Sequence, residues 1–175
     1  MAVPVVGANL QARLSAAVSV TCLAALLAAC APATETRPPT LDLAAAKEST
    51  RAQQDELVSV IPSSAVAATK QTGTSRALFE CGTGGYYWPG TLDVVLSGDA
   101  DGRALLEQIK ADRSARSGWT VKDKTSVNGD PELVIVSQDG FRHSIEFNPE
   151  RNALNVLSSS ACFGMAGTPE PGVDY

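Results

Sequence analysis

The apolar and polar positions divide this chain into a charge-free run, one helical stretch and a longer region that mostly alternates. Leu14–Ala29 carries no charge and is rich in Ala, Val and Leu. The Pro- and Thr-rich stretch Ala31–Thr40 reads as a flexible tether. From Leu41 to about Ile61 Ala, Lys, Glu, Gln and Leu dominate, a helical composition that Pro62 stops. Apolar residues gather at its two ends, so the polar middle, Lys47–Glu56, predicts a helix lying on the domain surface. Ser63–Ser75 is small and polar and reads as a connector. Arg76–Cys81 alternates as a strand, Gly82–Gly90 is a glycine-rich aromatic loop, and Thr91–Leu96 is a strand with Leu92, Val94 and Leu96 on one face.

Asp99 or Asp101 can cap a second helix whose Leu105, Leu106 and Ile109 form one stripe, with Gly118 closing it. Four strand-like runs follow: Trp119–Lys124, Leu133–Gln138, Phe141–Asn148 and Ala153–Ser160. Asp139-Gly140 is a two-residue hairpin signal, because both positions tolerate positive φ. Asn128-Gly129-Asp130-Pro131 and Asn148-Pro149-Glu150 mark the neighbouring turns, and Gly164–Tyr175 reads as a loose tail. The order α-β-β-α-β-β-β-β predicts an α+β domain over 41–163, two helices packed on a mostly antiparallel sheet of about six strands. Cys81 would end the first strand and Cys162 the last.

The apolar run is shorter than the roughly 20 residues a spanning helix wants and suits the core of a signal peptide over 1–29. It ends in Leu27-Ala28-Ala29-Cys30, which resembles the lipobox of bacterial lipoproteins: Leu at −3, small residues at −2 and −1, then the cysteine that takes the lipid. Cys22, preceded by Ser19-Val20-Thr21, is a poor rival for that lipid. The alternatives are an ordinary secretory signal, which leaves Cys30 as a free thiol, and a retained transmembrane anchor.

Cleavage before Cys30 leaves 146 residues, enough for one domain with a core. Its 13 basic and 19 acidic residues give a formal charge of −6, which argues against nucleic acid and against a polybasic grip on anionic lipid. Membrane attachment would then rest on acyl chains. With Cys30 lipidated, Cys81 and Cys162 remain as an even pair in an oxidising compartment, which favours a disulfide over two buried free thiols.

Candidate chemistry is sparse. His143 is the only histidine, and it shares a strand face with Phe141, Ile145 and Phe147, the placement of a core or boundary residue. No serine spacing nominates a triad, and no zinc or calcium motif appears, so neither a catalytic residue, a metal nor a cofactor is expected. Asp99-Ala-Asp101 lacks the downstream glutamate of a calcium loop. Gly82-Thr83-Gly84-Gly85 lacks the Lys-Ser/Thr and the following helix of a phosphate loop. The segment Tyr86-Tyr87-Trp88 holds three of the nine aromatic residues and is a candidate binding loop for a sugar, an acyl chain or a partner protein. The competing reading has these rings capping the sheet edge, with Trp88 near a Cys81–Cys162 bridge.

Cys81-Gly82, Trp88-Pro89-Gly90, Gly118-Trp119-Thr120-Val121, Asp139-Gly140-Phe141 and Ser158-Ser159-Ser160-Ala161-Cys162-Phe163 together resemble the small actinobacterial envelope lipoproteins, including the mycobacterial LppA-like group. The resemblance implies cell-envelope display and a small α+β domain with a terminal disulfide. It implies no reaction. The expectation is a non-enzymatic domain held by palmitate-type lipid on Cys30 at the outer face of the cell membrane. There it would meet an envelope protein, glycan or lipid. Alternatives are a lipid or glycolipid carrier, which needs a large apolar cavity, and a hydrolase whose carboxylates meet only in space.

Overall fold

In the computed structural model, residues 40–82 and 84–175 are described. The signal segment, Cys30 and most of the tether lie outside them. The elements are α1 (Leu43–Ser59), β1 (Val66–Gln71), β2 (Phe79–Cys81), β3 (Gly85–Tyr87), β4 (Pro89–Leu96), α2 (Gly102–Ser114), β5 (Trp119–Thr125), β6 (Pro131–Ser137), β7 (Arg142–Asn148) and β8 (Ala153–Ser159). Six strands form one antiparallel sheet in the order β1-β4-β8-β7-β6-β5, and β2 pairs with β3 in a separate hairpin. Among the described residues no helix is long and apolar enough to cross a membrane.

The last four strands follow from period-2 alternation, and the turns between them from residues that accept positive φ. Gly129 (φ 89°) turns β5 into β6, Gly140 (φ 91°) turns β6 into β7, and Asn152 (φ 45°) lies between β7 and β8. On one sheet face Leu92, Val94, Leu154, Val156, Ile145, Leu133 and Ile135 are buried in a common core. The α2 stripe Leu105, Leu106 and Ile109 packs on this face, and α1 crosses it beside β4 and β8. Asp101 caps α2 by accepting from the backbone N–H groups of Arg103 and Ala104. That helix ends at Ser114; Gly118 (φ 82°) instead turns the chain into β5.

Other expectations need correction. Ser63–Ser75 is not a plain connector: Val66–Gln71 forms edge strand β1, whose mostly exposed residues hide any alternation. Arg76–Cys81 shrinks to β2, which joins the hairpin and not the main sheet. Gly82–Gly90 is not one loop, because Gly85–Tyr87 is β3 and Pro89 opens β4. α1 does lie on the domain surface, with Glu48, Ala52 and Asp55 exposed, while Ala46, Thr50, Gln54 and Leu57 form its buried stripe. Finally, Gly164–Tyr175 is docked. Tyr175 and Ser75 exchange backbone hydrogen bonds of 2.8 Å, and Gly164 N–H donates to the Leu41 carbonyl at 2.9 Å.

The disulfide Cys81–Cys162 forms, with Cα atoms 6.1 Å apart and a sequence separation of 81. It does not join two neighbouring strands of the sheet. It ties β2 to the segment after β8, where Phe163 bridges antiparallel to Tyr86 and parallel to Leu41. The start of the described domain at Leu41, the C-terminal Tyr175 and the hairpin therefore meet around a second core of Ala46, Trp88 and Phe163. On the chain-entropy model a loop of this size is worth about 4 kcal/mol. A Cys81→Ser/Cys162→Ser chain is therefore expected to lose stability of that order in urea unfolding. An unchanged midpoint would show that the pair adds nothing to the fold.

Candidate functional site

Trp88 lies inside the protein, fully buried between β3 and β4. Its indole folds over Gly90, where an added Cβ would sit 2.5 Å from the ring, so only glycine leaves room. Its Nε1 donates to the Tyr175 carbonyl at 3.3 Å, and its backbone N–H donates to Ser160 Oγ at 2.9 Å. Lys47 and Arg51, one turn apart on α1, lay their cations over the ring at 5.8 Å and 5.6 Å. Tyr86 is half-buried against Phe163, with ring centroids 6.4 Å apart, and Tyr87 is half-buried on the outer face of the hairpin. The three rings thus do not form one platform: strand alternation turns Tyr86 inward, and Trp88 is consumed by the second core.

The core face turns polar where α1 crosses it. His143 on β7 and Ser158 on β8 are cross-strand partners, and both are fully buried. His143 Nε2 stands 2.9 Å from Gln53 Oε1, and Nδ1 stands 2.9 Å from Ser158 Oγ. An amide oxygen only accepts, so Nε2 carries the proton and donates to Gln53, while Nδ1 accepts from the Ser158 hydroxyl. The Ser158 oxygen in turn accepts from Gln54 Nε2 at 2.9 Å. A serine in hydrogen-bond reach of a histidine is the arrangement of an activated nucleophile. Here neither side chain reaches solvent, and the third partner is an amide where a carboxylate would orient the base. The group fastens α1 to β7 and β8.

The same seam continues through Trp119, whose ring lies 6.2 Å from His143, to the Arg113 guanidinium stacked 5.1 Å above Trp119. Arg113 is only 1% exposed, with Nη1 3.3 Å from Glu56 Oε1 and Nε 3.6 Å from Asp112 Oδ2. Glu56 also pairs with Arg116. Burial, then the nearby Arg113 charge, lowers the His143 pKa from 6.5 to about 4, with Glu56 opposing the shift. A neutral imidazole follows from that environment.

Among the described residues, no helix covers the opposite sheet face. Asp93, Asn155, Glu146 and Glu132 are successive cross-strand partners on β4, β8, β7 and β6, so they form one row. They line an open trough of 420 Å³ with Thr91, Ser144 and Leu157. Arg151 Nη2 lies 3.3 Å from Asp93 Oδ2, and Ser144 donates to Glu132. Glu132 and Glu146 are the carboxylates that the sequence could not nominate, since only strand pairing brings them together. They rise from adjacent strands of one floor. Glycoside hydrolysis needs two carboxyl groups flanking the scissile bond. Among the described residues no group of three or more His, Cys, Asp or Glu side chains is placed to hold a metal.

No family model matches the sequence, and no curated protein does. Among solved structures, the crystal structure of a DUF4853 family protein from Actinomyces odontolyticus is similar over 73% of each chain, at 17% identity and a TM-score of 0.43.

Two outcomes are expected. Emission from Trp88, isolated as the difference between wild type and Trp88→Phe, should be blue-shifted and resist iodide; free quenching would place the ring outside the core. Stability should also fall with acid. Unfolding returns His143 to its ordinary pKa, so the unfolded chain binds the proton first. The full contribution is present above pH 6.5 and is lost as pH falls towards about 4, roughly 3 kcal/mol in all. In urea unfolding between pH 8 and 4, wild type should lose stability over this window more steeply than His143→Asn. Parallel profiles would refute the buried neutral imidazole.

Proposed function

We propose that this chain is a cell-envelope lipoprotein, cleaved before Cys30 and held by lipid on that cysteine at the extracytoplasmic face of the membrane. There it displays a small, non-enzymatic accessory or binding domain. The observation that carries the reading is the lipobox-like Leu27-Ala28-Ala29-Cys30, placed eleven residues before the first paired residue of the domain, Leu41. The Cys81–Cys162 disulfide supports it, because such bonds persist in oxidising compartments outside the cytoplasm. So does the resemblance to the LppA-like actinobacterial lipoproteins, whose membership forms part of the proposal. Two or more acyl chains on one cysteine suffice for stable attachment, so a chain of formal charge −6 needs no basic patch.

The interior favours a scaffold over a carrier: the space between helices and sheet is occupied by the main core and the polar seam. It also disfavours the Ser158–His143 pair as a catalyst, since both groups are sealed. The Glu132–Glu146 pair stands on an open floor, a poor arrangement for attack and leaving-group protonation from opposite sides.

The test is metabolic labelling of the full chain with an alkyne analogue of palmitate in a bacterial host, followed by intact mass. The wild-type chain should fractionate with membranes, begin at Cys30 and carry acyl groups, and Cys30→Ala should take no label. Label that is absent from wild type, or unchanged in Cys30→Ala, would refute the anchor.

A further inference from the structure

We propose that Asn128, in the β5–β6 turn, is a site of spontaneous covalent modification, where the Gly129 backbone nitrogen displaces the side-chain amide as ammonia. A bond forms from Gly129 N to Asn128 Cγ, and the bond from Cγ to the amide nitrogen breaks. The amide nitrogen leaves with the proton that Gly129 N gives up. Water then opens the cyclic imide at either carbonyl. One opening gives an aspartyl residue. The other gives an isoaspartyl link, in which the backbone runs through the former side-chain carbon.

Asparagine is a thermally labile side chain, and this attack needs an unhindered nitrogen after it and an amide free to turn. Asn128 meets both needs. It is exposed, and among the described residues nothing hydrogen-bonds its side-chain amide. Gly129 has no Cβ to shield its nitrogen, and nothing lies within 4 Å of where one would stand. The other described asparagines each fail a requirement. Asn148 precedes Pro149, which has no N–H to give up, and its Oδ1 accepts from the Arg151 N–H at 2.9 Å. Asn152 Nδ2 donates to the Leu96 and Ser97 carbonyls at 3.3 and 3.2 Å, ahead of fully buried Ala153. Asn155 stands in β8, a strand paired on both sides, ahead of the buried and branched Val156.

Turn hydrogen bonds gate the reaction and set what its products do. Ser126 N–H donates to the Asp130 carbonyl at 2.8 Å, and Gly129 N–H donates to the Ser126 carbonyl at 3.0 Å. Ser126 Oγ accepts from the N–H groups of Asn128 and Asp130 at 3.3 and 3.2 Å. The nucleophile is engaged until this turn opens. The β6–β7 turn repeats the arrangement: Ser137 N–H donates to the Phe141 carbonyl at 2.9 Å, and Gly140 N–H to the Ser137 carbonyl at 3.0 Å. Ser137 Oγ accepts from the Phe141 N–H at 3.0 Å. There Asp139 stands where Asn128 stands here, so an aspartyl product fits the turn. The isoaspartyl product does not, because its extra backbone carbon lengthens the span that Ser126 and Asp130 close. Asn128 shares a 220 Å³ pocket with Asp130, Glu146 and Glu150, so either product adds a carboxylate to an acidic wall. Ser126 and Val127 line the end of the sheet-face trough, and the isoaspartyl form reshapes that end.

The test is incubation of the full folded chain in mildly alkaline buffer, which helps Gly129 N lose its proton. Conversion is followed by peptide mass mapping and by enzymatic methylation of isoaspartyl groups. Asn128 should pass from amide to acid with isoaspartyl signal in the same peptide, while Asn152 and Asn155 stay intact. Ser126→Ala, which removes the acceptor of two turn N–H groups, should convert several-fold faster. Asn128→Asp should give no isoaspartyl burst and should keep the wild-type urea midpoint, as the Asp139 turn implies. Asn128 that stays intact in the folded chain, under conditions that convert it in the urea-unfolded chain, overturns the proposal. So does equal conversion of Asn128, Asn152 and Asn155, which would mark ordinary loss from unfolded molecules.

Discussion

Burial of the Trp88 indole is the constraint on which the rest of this fold depends. The ring needs Gly90 beneath it, the cations of Lys47 and Arg51 above it, and the Tyr175 carbonyl at its edge. Those four residues bring β4, α1 and the C-terminus to one place. The Cys81–Cys162 bond and the Phe163 pairings then add the hairpin and the segment entering from the tether. Residues far apart in sequence are held together here by a core that the six-stranded sheet does not provide.

A second, polar constraint holds α1 to the sheet. Four side chains, Gln53, Gln54, His143 and Ser158, satisfy one another in a connected chain of donors and acceptors. A buried polar group left without a partner costs about 1–3 kcal/mol, so each member constrains the register of the others. An apolar stripe could slide by a turn; this one cannot without leaving several groups unpaired. Arg113 extends the seam but less completely: among the described residues its Nη2 has no hydrogen-bond partner. Stacking on Trp119 and the charge of Glu56 offset part of that desolvation.

How legible these features were in the sequence depends on which physics wrote them. The meander from Trp119 to Ser159 was plain, because alternation and glycine turns are local signals. So was α2, with Asp99 or Asp101 as its cap and a three-residue apolar stripe. The cysteine pairing followed from counting. The seam did not show, since Gln53 and Gln54 look like surface residues until His143 and Ser158 face them. Strand β1 did not show either: Val66–Gln71 is an edge with little to bury. The docked tail was hidden because its contacts, Ser75 and Trp88, are about a hundred residues distant. The Glu132–Glu146 row exists only through the register of β6 and β7. In each missed case the signal was a partner in space and not a pattern in the chain.

The second core holds both ends of the described domain as firmly as the sheet holds its strands. Native-state hydrogen exchange tests it directly, at the amides of Tyr86, Phe163, Gly164 and Tyr175, each hydrogen-bonded across this junction. The account predicts protection at these four positions, with Tyr86 and Phe163 approaching the amides of β7 and β8. A Trp88→Ala change should collapse all four towards unprotected rates while leaving the strands of the sheet slow. Rapid exchange at all four in the wild-type chain would contradict it, and the ends would then be loosely attached segments.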